Sequence, residues 1–170
     1  MLVAWGGMVK EGLLLKESVL WALLVFPLLS LFFLERSELR RFLPVAWFVT
    51  VINSLVYQAA HHFTWWEEQG LFGWDNIVPV PWVYSAYLVA TIWIFKFTYG
   101  RFLIYLVVNV ILDGIYSFAW YPIQQKIGLA GTGGLPAYIP YLMMLAVAVL
   151  IYLYQMWQED DLAKIISGSP

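Results

Sequence analysis

Residues 61–68, HHFTWWEE, place two histidines, two tryptophans and two glutamates within eight positions. Imidazole and carboxylate are the side chains of general acid–base catalysis and of zinc sites, so the cluster invites both readings. Its spacing argues against the metal. Neighbouring residues on a helix diverge by about 100°, so His61 and His62 do not readily share one ion. A site would have to recruit Glu67, Glu68, Asp75 or Asp113, and none of these stands in HExxH-type spacing. No Ser-His-Asp arrangement follows from spacing, and an Asp113–His61 acid–base pair rests on inferred depth alone. The expectation is no metal and no cofactor; whether the protein is an enzyme stays open, with the non-enzymatic reading preferred.

Asp113, in NVILDGIYSF, is the more informative group, because it is the one acid well inside an apolar run. An ionised, unpaired acid in the bilayer costs at least ~2.5–3.5 kcal/mol. Such a residue is therefore paired, faces water, or is held neutral. Tyr105, Asn109, Asp113, Ser117 and Trp120 recur at three- and four-residue spacing, which aligns them as a polar stripe on one helix. A preceding run carries two adjacent stripes, Asn53–Tyr57–His61 and Ser54–Gln58–His62. Counted from the same side, Asn53 and Asp113 reach similar depth. Tyr84, Ser85, Tyr87, Tyr138, Tyr141, Lys16 and Glu17 fall in the same half of their runs. The pattern predicts a polar cavity between the second and fourth runs, with Asp113 at its floor and His61 at its rim. Its ligand-binding candidates are Asp113, Asn109, Asn53, Tyr57, His61, Gln58, Tyr105 and Ser117. The plainer reading is interhelical hydrogen bonding, at about 0.6–2 kcal/mol per contact.

The elements that must hold these residues are membrane helices. Of 170 residues, 62% are hydrophobic, 19% aromatic and 12% charged, where soluble domains carry about a quarter charged. A net charge of −2 offers no basic face for nucleic acid, and the absence of cysteine excludes disulfides and thiol chemistry. About 20 apolar residues cross a bilayer. Five runs qualify, at about 13–34, 42–61, 77–99, 102–121 and 137–157, giving an all-α, five-span bundle in one domain with a short tail at 158–170. The first run, bounded by Glu35-Arg36 and Arg40-Arg41, reads as a retained anchor. Pro27 predicts a kink within it, whereas Pro44, Pro79, Pro81, Pro122, Pro136 and Pro140 fall near run ends. Arg36, Arg40, Arg41, Lys96, Arg101 and Lys164 share one side, against Lys10, Lys16 and Lys126 on the other. That bias puts the N-terminus outside and the C-terminus in the cytosol. Trp65, Trp66, Trp74 and Trp82, with Trp5, Trp21 and Trp120, then form an outer aromatic belt, and Trp47, Trp93 and Trp157 an inner one. On this reading WWEEQG is simply an exit from the bilayer. GLAGTGGLP (128–136) lacks the strand and Lys-Ser/Thr of a phosphate loop and reads as a flexible connector.

The segments FTWWE, TYGRFLIYLVVNVILDGI and IYLYQMWQ resemble a family of small multi-span membrane proteins of spore-forming Gram-positive bacteria. The likeness runs from about residue 36 onward, and Asp113, Asn109, Arg101, Trp65 and Trp66 lie in the matching patches. It implies a five-span helical protein of the plasma membrane and implies no activity. The tryptophan-rich sensory (translocator) proteins are similar in size and aromatic content, but their Pro/Trp pattern does not align here. The leading expectation is a membrane protein that binds a small ligand or helps translocate it, with proton coupling if Asp113 is neutral at rest. Five spans hold no inverted repeat, so translocation would call for a homodimer. The alternatives are a structural or accessory subunit docked on a membrane-protein partner, and an intramembrane enzyme using His61 and Asp113.

Overall fold

A computed structural model describes residues 2–131 and 133–160, and of residues 2–11 and 13 the backbone alone. Thr132, the tail from 161 with Lys164, and the side chains of Trp5 and Lys10 lie outside the described residues. The chain is all-helical apart from its connectors. Helix α1 (Leu2–Ser30) ends in a 3-10 turn at Leu31–Phe33, and α2 covers Arg36–His62. A π-helical turn, Trp82–Ala86, leads into α3 (Tyr87–Thr98). Helix α4 (Phe102–Ile115) passes through a second π turn, Tyr116–Trp120, into α5 (Tyr121–Ile127), and α6 is Tyr138–Gln158. An uninterrupted helix pairs every backbone amide internally, which is the requirement a bilayer imposes.

Among the described residues, four stretches are long and apolar enough to cross a membrane: Leu14–Phe33, Arg36–His62, Phe102–Ile127 and Tyr138–Gln158. The protein is a helical membrane protein, and its outward faces are apolar: Phe32 is 84% exposed and Leu103 74%. The third helix is the short one. Its five-residue π turn and twelve-residue α3 span only about 25 Å at ~1.5 Å per residue. It packs against α1, α2 and α4, so protein rather than lipid surrounds much of it.

Several expected boundaries move. Helix α2 starts six residues before the expected 42, so Pro44 lies inside it rather than at its end. The fourth span runs to Ile127, not 121, with Pro122 inside the rod. Pro122 lacks the N–H that an α-helix would use, and the π turn immediately before it loosens the backbone at that point. At Pro27 the α-helix continues for one turn before tightening into the 3-10 turn, and Ser30 Oγ donates to the Pro27 carbonyl (2.6 Å).

Helices α2, α3, α4 and α6 contact one another in a closed cycle, α2–α3–α4–α6–α2, and α1 leans on the outside against the Trp82–Ala86 turn and α3. One end of this ring, the base, is solid. Phe42, Val45, Ile92, Phe95, Tyr105 and Tyr152 are all buried there, with Phe95 5.1 Å from Tyr105 and Tyr105 4.8 Å from Tyr152, centroid to centroid. Charged pairs close the base: Arg41 to Glu159 (2.6 Å) and Lys96 to Glu38 (2.8 Å). At the opposite end the connectors 63–81 and 128–137 form a lid. Gly131 N–H donates to the Glu67 carbonyl (2.9 Å), Gln69 N–H to Leu129 (2.8 Å) and Gly134 N–H to Thr64 (3.1 Å). The glycine-rich stretch is thus paired rather than a free connector. Its glycines permit close approach: a Cβ on Gly133 would overlap the Trp65 carbonyl, and one on Gly134 would sit 3.0 Å from that of Thr64.

Candidate functional site

Between the solid base and the lid, the four-helix ring lines a partly open cavity of about 370 Å³, within the ~300–1,000 Å³ usual for ligand sites. Asn53 and Tyr57 reach it from α2, Thr91 and Ile94 from α3, Asn109 and Asp113 from α4, and Met144 and Val147 from α6. Trp65, Trp66 and Glu68 close it from the lid.

Glu68 is the group that sequence reasoning passed over. It was expected to be a bilayer-exit residue like Glu67, yet it is only 5% exposed. The cause is local. Glu68 forms a β-bridge with Ala130, and in extended backbone successive side chains point to opposite faces. Glu67 therefore turns outward and Glu68 inward. There it accepts hydrogen bonds from the Tyr57 hydroxyl on one oxygen and the Tyr116 hydroxyl on the other. Tyr87 donates to the Tyr116 oxygen (2.8 Å) and stands 3.3 Å from the Tyr57 hydroxyl. Two spans thereby contribute one tyrosine each to a single carboxylate of the lid, and a third tyrosine, Tyr87, backs them. Burial pushes the Glu68 carboxyl up to about 7, although the two tyrosine donors pull it the other way.

The π turns explain how the tyrosines meet. Tyr116 lies in one turn and Tyr87 directly follows the other, and π turns recur at functional sites because they re-aim side chains. The second turn also ends the expected stripe early. Beyond it the cavity-facing position is Tyr121, while Trp120 packs with Trp82 and Tyr57 on the neighbouring cluster.

Asp113 lines the cavity half-buried, within electrostatic reach of Tyr87 and Tyr105. Among the described residues it receives no hydrogen bond from Asn53 or Tyr57, the partners expected for a purely structural acid. Asn109 lies beside it and donates to the Tyr105 carbonyl (2.8 Å). Ser117 lines the wall and points its hydroxyl at the Met144 sulfur (3.8 Å). Tyr105 sits below the cavity in the base, its hydroxyl on the Ala148 carbonyl (2.8 Å).

Gln58 and His61 are not in the cavity. Both are exposed and edge a separate shallow depression with Trp74 and Tyr84. Geometry accounts for the miss: at ~3.6 residues per turn, eight residues carry His61 about 80° away from Asn53, and five carry Gln58 about 140° away. An Asp113–His61 pair therefore does not form. Tyr138 is exposed, Tyr141 turns to the Val110 carbonyl, and Ser85 donates to Leu24 of α1. Glu17 is exposed, and Lys16 packs on Gly128 at the carboxyl end of α5. Asp75 is a loop cap, accepting backbone N–H groups of Leu71, Phe72 and Val80. Trp82 belongs to the core at 2% exposure rather than to an aromatic belt.

No protein-family model, no curated protein and no solved structure matches this chain. The geometry of the cavity is what speaks to function.

Proposed function

We propose that the protein binds a small ligand within the membrane, in the cavity that the ring lines beneath its lid, and that it holds or passes the ligand rather than transforming it. The observation that carries this reading is a partly open cavity of about 370 Å³ onto which Asp113, an acid with no protein hydrogen-bond partner among the described residues, opens from a spanning helix. An acid kept only as interhelical glue would be expected against a donor. The separation of His61 from Asp113 weighs against an intramembrane enzyme built on that pair.

We place the lid end outside a plasma membrane. Arg36, Arg40, Arg41, Lys96 and Arg101 lie at the base end, against Lys16 and Lys126 at the lid end, and the positive side of a membrane protein is normally cytosolic. Passage of the ligand across the bilayer would require a second copy or another membrane protein, because the solid base blocks a path through one ring.

The test is ligand-induced stabilisation of the purified protein in lipid nanodiscs, screened over chemically diverse small molecules. A ligand at a hundred times its Kd adds about 2.7 kcal/mol. Val147→Trp, which fills the cavity from α6, is expected to erase the shift of any compound that binds there. Shifts that survive Val147→Trp, or none across the screen, would overturn the reading.

A further inference from the structure

The cavity wall has a charge bias. It carries two acids, Asp113 and Glu68, and among the described residues no Lys, Arg or His lines it. An anionic ligand would meet repulsion and no positive partner. A neutral ligand would leave Asp113 facing apolar matter uncompensated, which is costly in low dielectric. A cation relieves that cost.

The kind of cation follows from the rest of the wall. No group of three or more potential metal-ligating side chains occurs among the described residues, so a tightly coordinated metal ion finds no cage. Aromatic rings are abundant instead. Tyr57 and Trp66 meet edge-on at 6.3 Å, Trp65 and Trp66 lie 6.0 Å apart, and Tyr87 and Tyr116 also 6.0 Å apart. Faces of Trp and Tyr attract organic ammonium groups, most strongly once water is removed. Toward α3 and α6 the wall turns aliphatic, with Ile94, Met143 and Val147. These surfaces suit a charged nitrogen at one end of a ligand and a hydrocarbon or aromatic body at the other.

The two acids are not equivalent. Both oxygens of Glu68 are already taken by tyrosine hydroxyls, so its part is to fix those tyrosines in place. Asp113 is the carboxylate left open to a ligand. We propose that the cavity takes an apolar organic cation, a protonated or quaternary amine, with its charge beside Asp113 and its flanks against the Trp65–Trp66 and tyrosine rings. This proposal rests on the ligand-binding reading above and adds the chemical class.

The experiment uses the full chain in phosphatidylcholine nanodiscs, whose zwitterionic surface does not concentrate cations. Three probes of one shape are titrated against tryptophan fluorescence: benzyltrimethylammonium, its uncharged isostere neopentylbenzene, and the anion phenylmethanesulfonate. The expected result is saturable binding of the cation, at least tenfold weaker binding of the neutral probe, and none of the anion. Asp113→Asn is expected to weaken the cation at least tenfold while binding the neutral probe as well as or better than the parent, the latter showing that the variant is folded. A cation that binds no tighter than its isostere, or does not bind, or ignores Asp113→Asn, overturns the proposal. The two readings fail differently. If the neutral probe binds as well as the cation and Val147→Trp abolishes both, the cavity binds ligands without charge selection; if Val147→Trp affects no probe, the ligand site itself is lost.

Discussion

At the base end of the ring, buried hydroxyls are satisfied one by one on backbone carbonyls. Thr50 donates to the Ala46 carbonyl, Thr98 to Ile94, and Tyr105 across to Ala148. At the lid end, Tyr57, Tyr87 and Tyr116 come from three separate segments and converge on one another and on Glu68. The same four helices build both halves. At the base, Phe42, Phe95 and Tyr152 fill the axis. Toward the lid, the positions facing the axis are Asn53, Asp113 and Met144, and the space stays open. A hydroxyl that returns to its own helix costs a membrane protein little and says little about function. A connector carboxylate that takes hydrogen bonds from two separate spans, with a tyrosine of a third behind them, is held by the tertiary structure, so its disturbance reports on the whole site.

This contrast can be broken at either end. The largest stability effect belongs to the base. Phe95 is fully buried, so Phe95→Ala should lower the unfolding free energy by about 3–5 kcal/mol, measured by detergent-driven unfolding from mixed micelles. Next is the tyrosine cluster. Glu68→Ala leaves the Tyr57 and Tyr116 hydroxyls without their acceptor and should cost about 2–3 kcal/mol in the same assay, with Glu68→Gln recovering part of it. Equal, negligible effects of both Glu68 variants would mean that the lid is not held by this carboxylate.

A pH dependence sharpens the same point. The folded-state value of Glu68, about 7, lies above the model-peptide value of 4.5. The folded protein therefore binds more protons than the unfolded chain between those values, and stability falls as pH rises across that window. The thermal midpoint should decline from pH 4.5 to 7 and level off above it, and Glu68→Gln should flatten the slope. An unchanged slope in the variant would assign the titration elsewhere. The smallest effect on stability belongs to Asp113→Asn. With no hydrogen bond to lose, it should shift unfolding by less than about 0.5 kcal/mol or raise stability, since an open acid in the bilayer is a burden.

How much of this was legible in the chain differs between the two acids. Asp113 announced itself, because an ionisable residue within an apolar run, aligned with Asn109 and Ser117 at spacing four, has few uninteresting explanations. The helical rods were legible for the same reason: a bilayer leaves little freedom in the length and polarity of what crosses it, and four of the five are long and apolar enough to do so. Glu68 was hidden. Its burial depends on pairing between residues 64–69 and 129–134, some sixty positions apart, and nothing in WWEEQG reveals which glutamate turns inward. His61 and Gln58 were misplaced because spacing identifies a stripe but not the direction it faces. Helical drift carries the end of a long stripe away from its start. The π turns left no sequence signal beyond the nearby Pro81 and Pro122.

The central claim, that the lid half of the ring is open for a ligand while the base half is sealed, can be tested directly because the chain has no cysteine. Single-cysteine variants Met144→Cys, on the cavity wall, and Val45→Cys, in the base, reconstituted in liposomes, would be exposed to a water-soluble cationic methanethiosulfonate reagent. The account predicts rapid labelling at 144, slowed by benzyltrimethylammonium, and none at 45, which is fully buried. A thiol at 144 as inert as the one at 45 would contradict it.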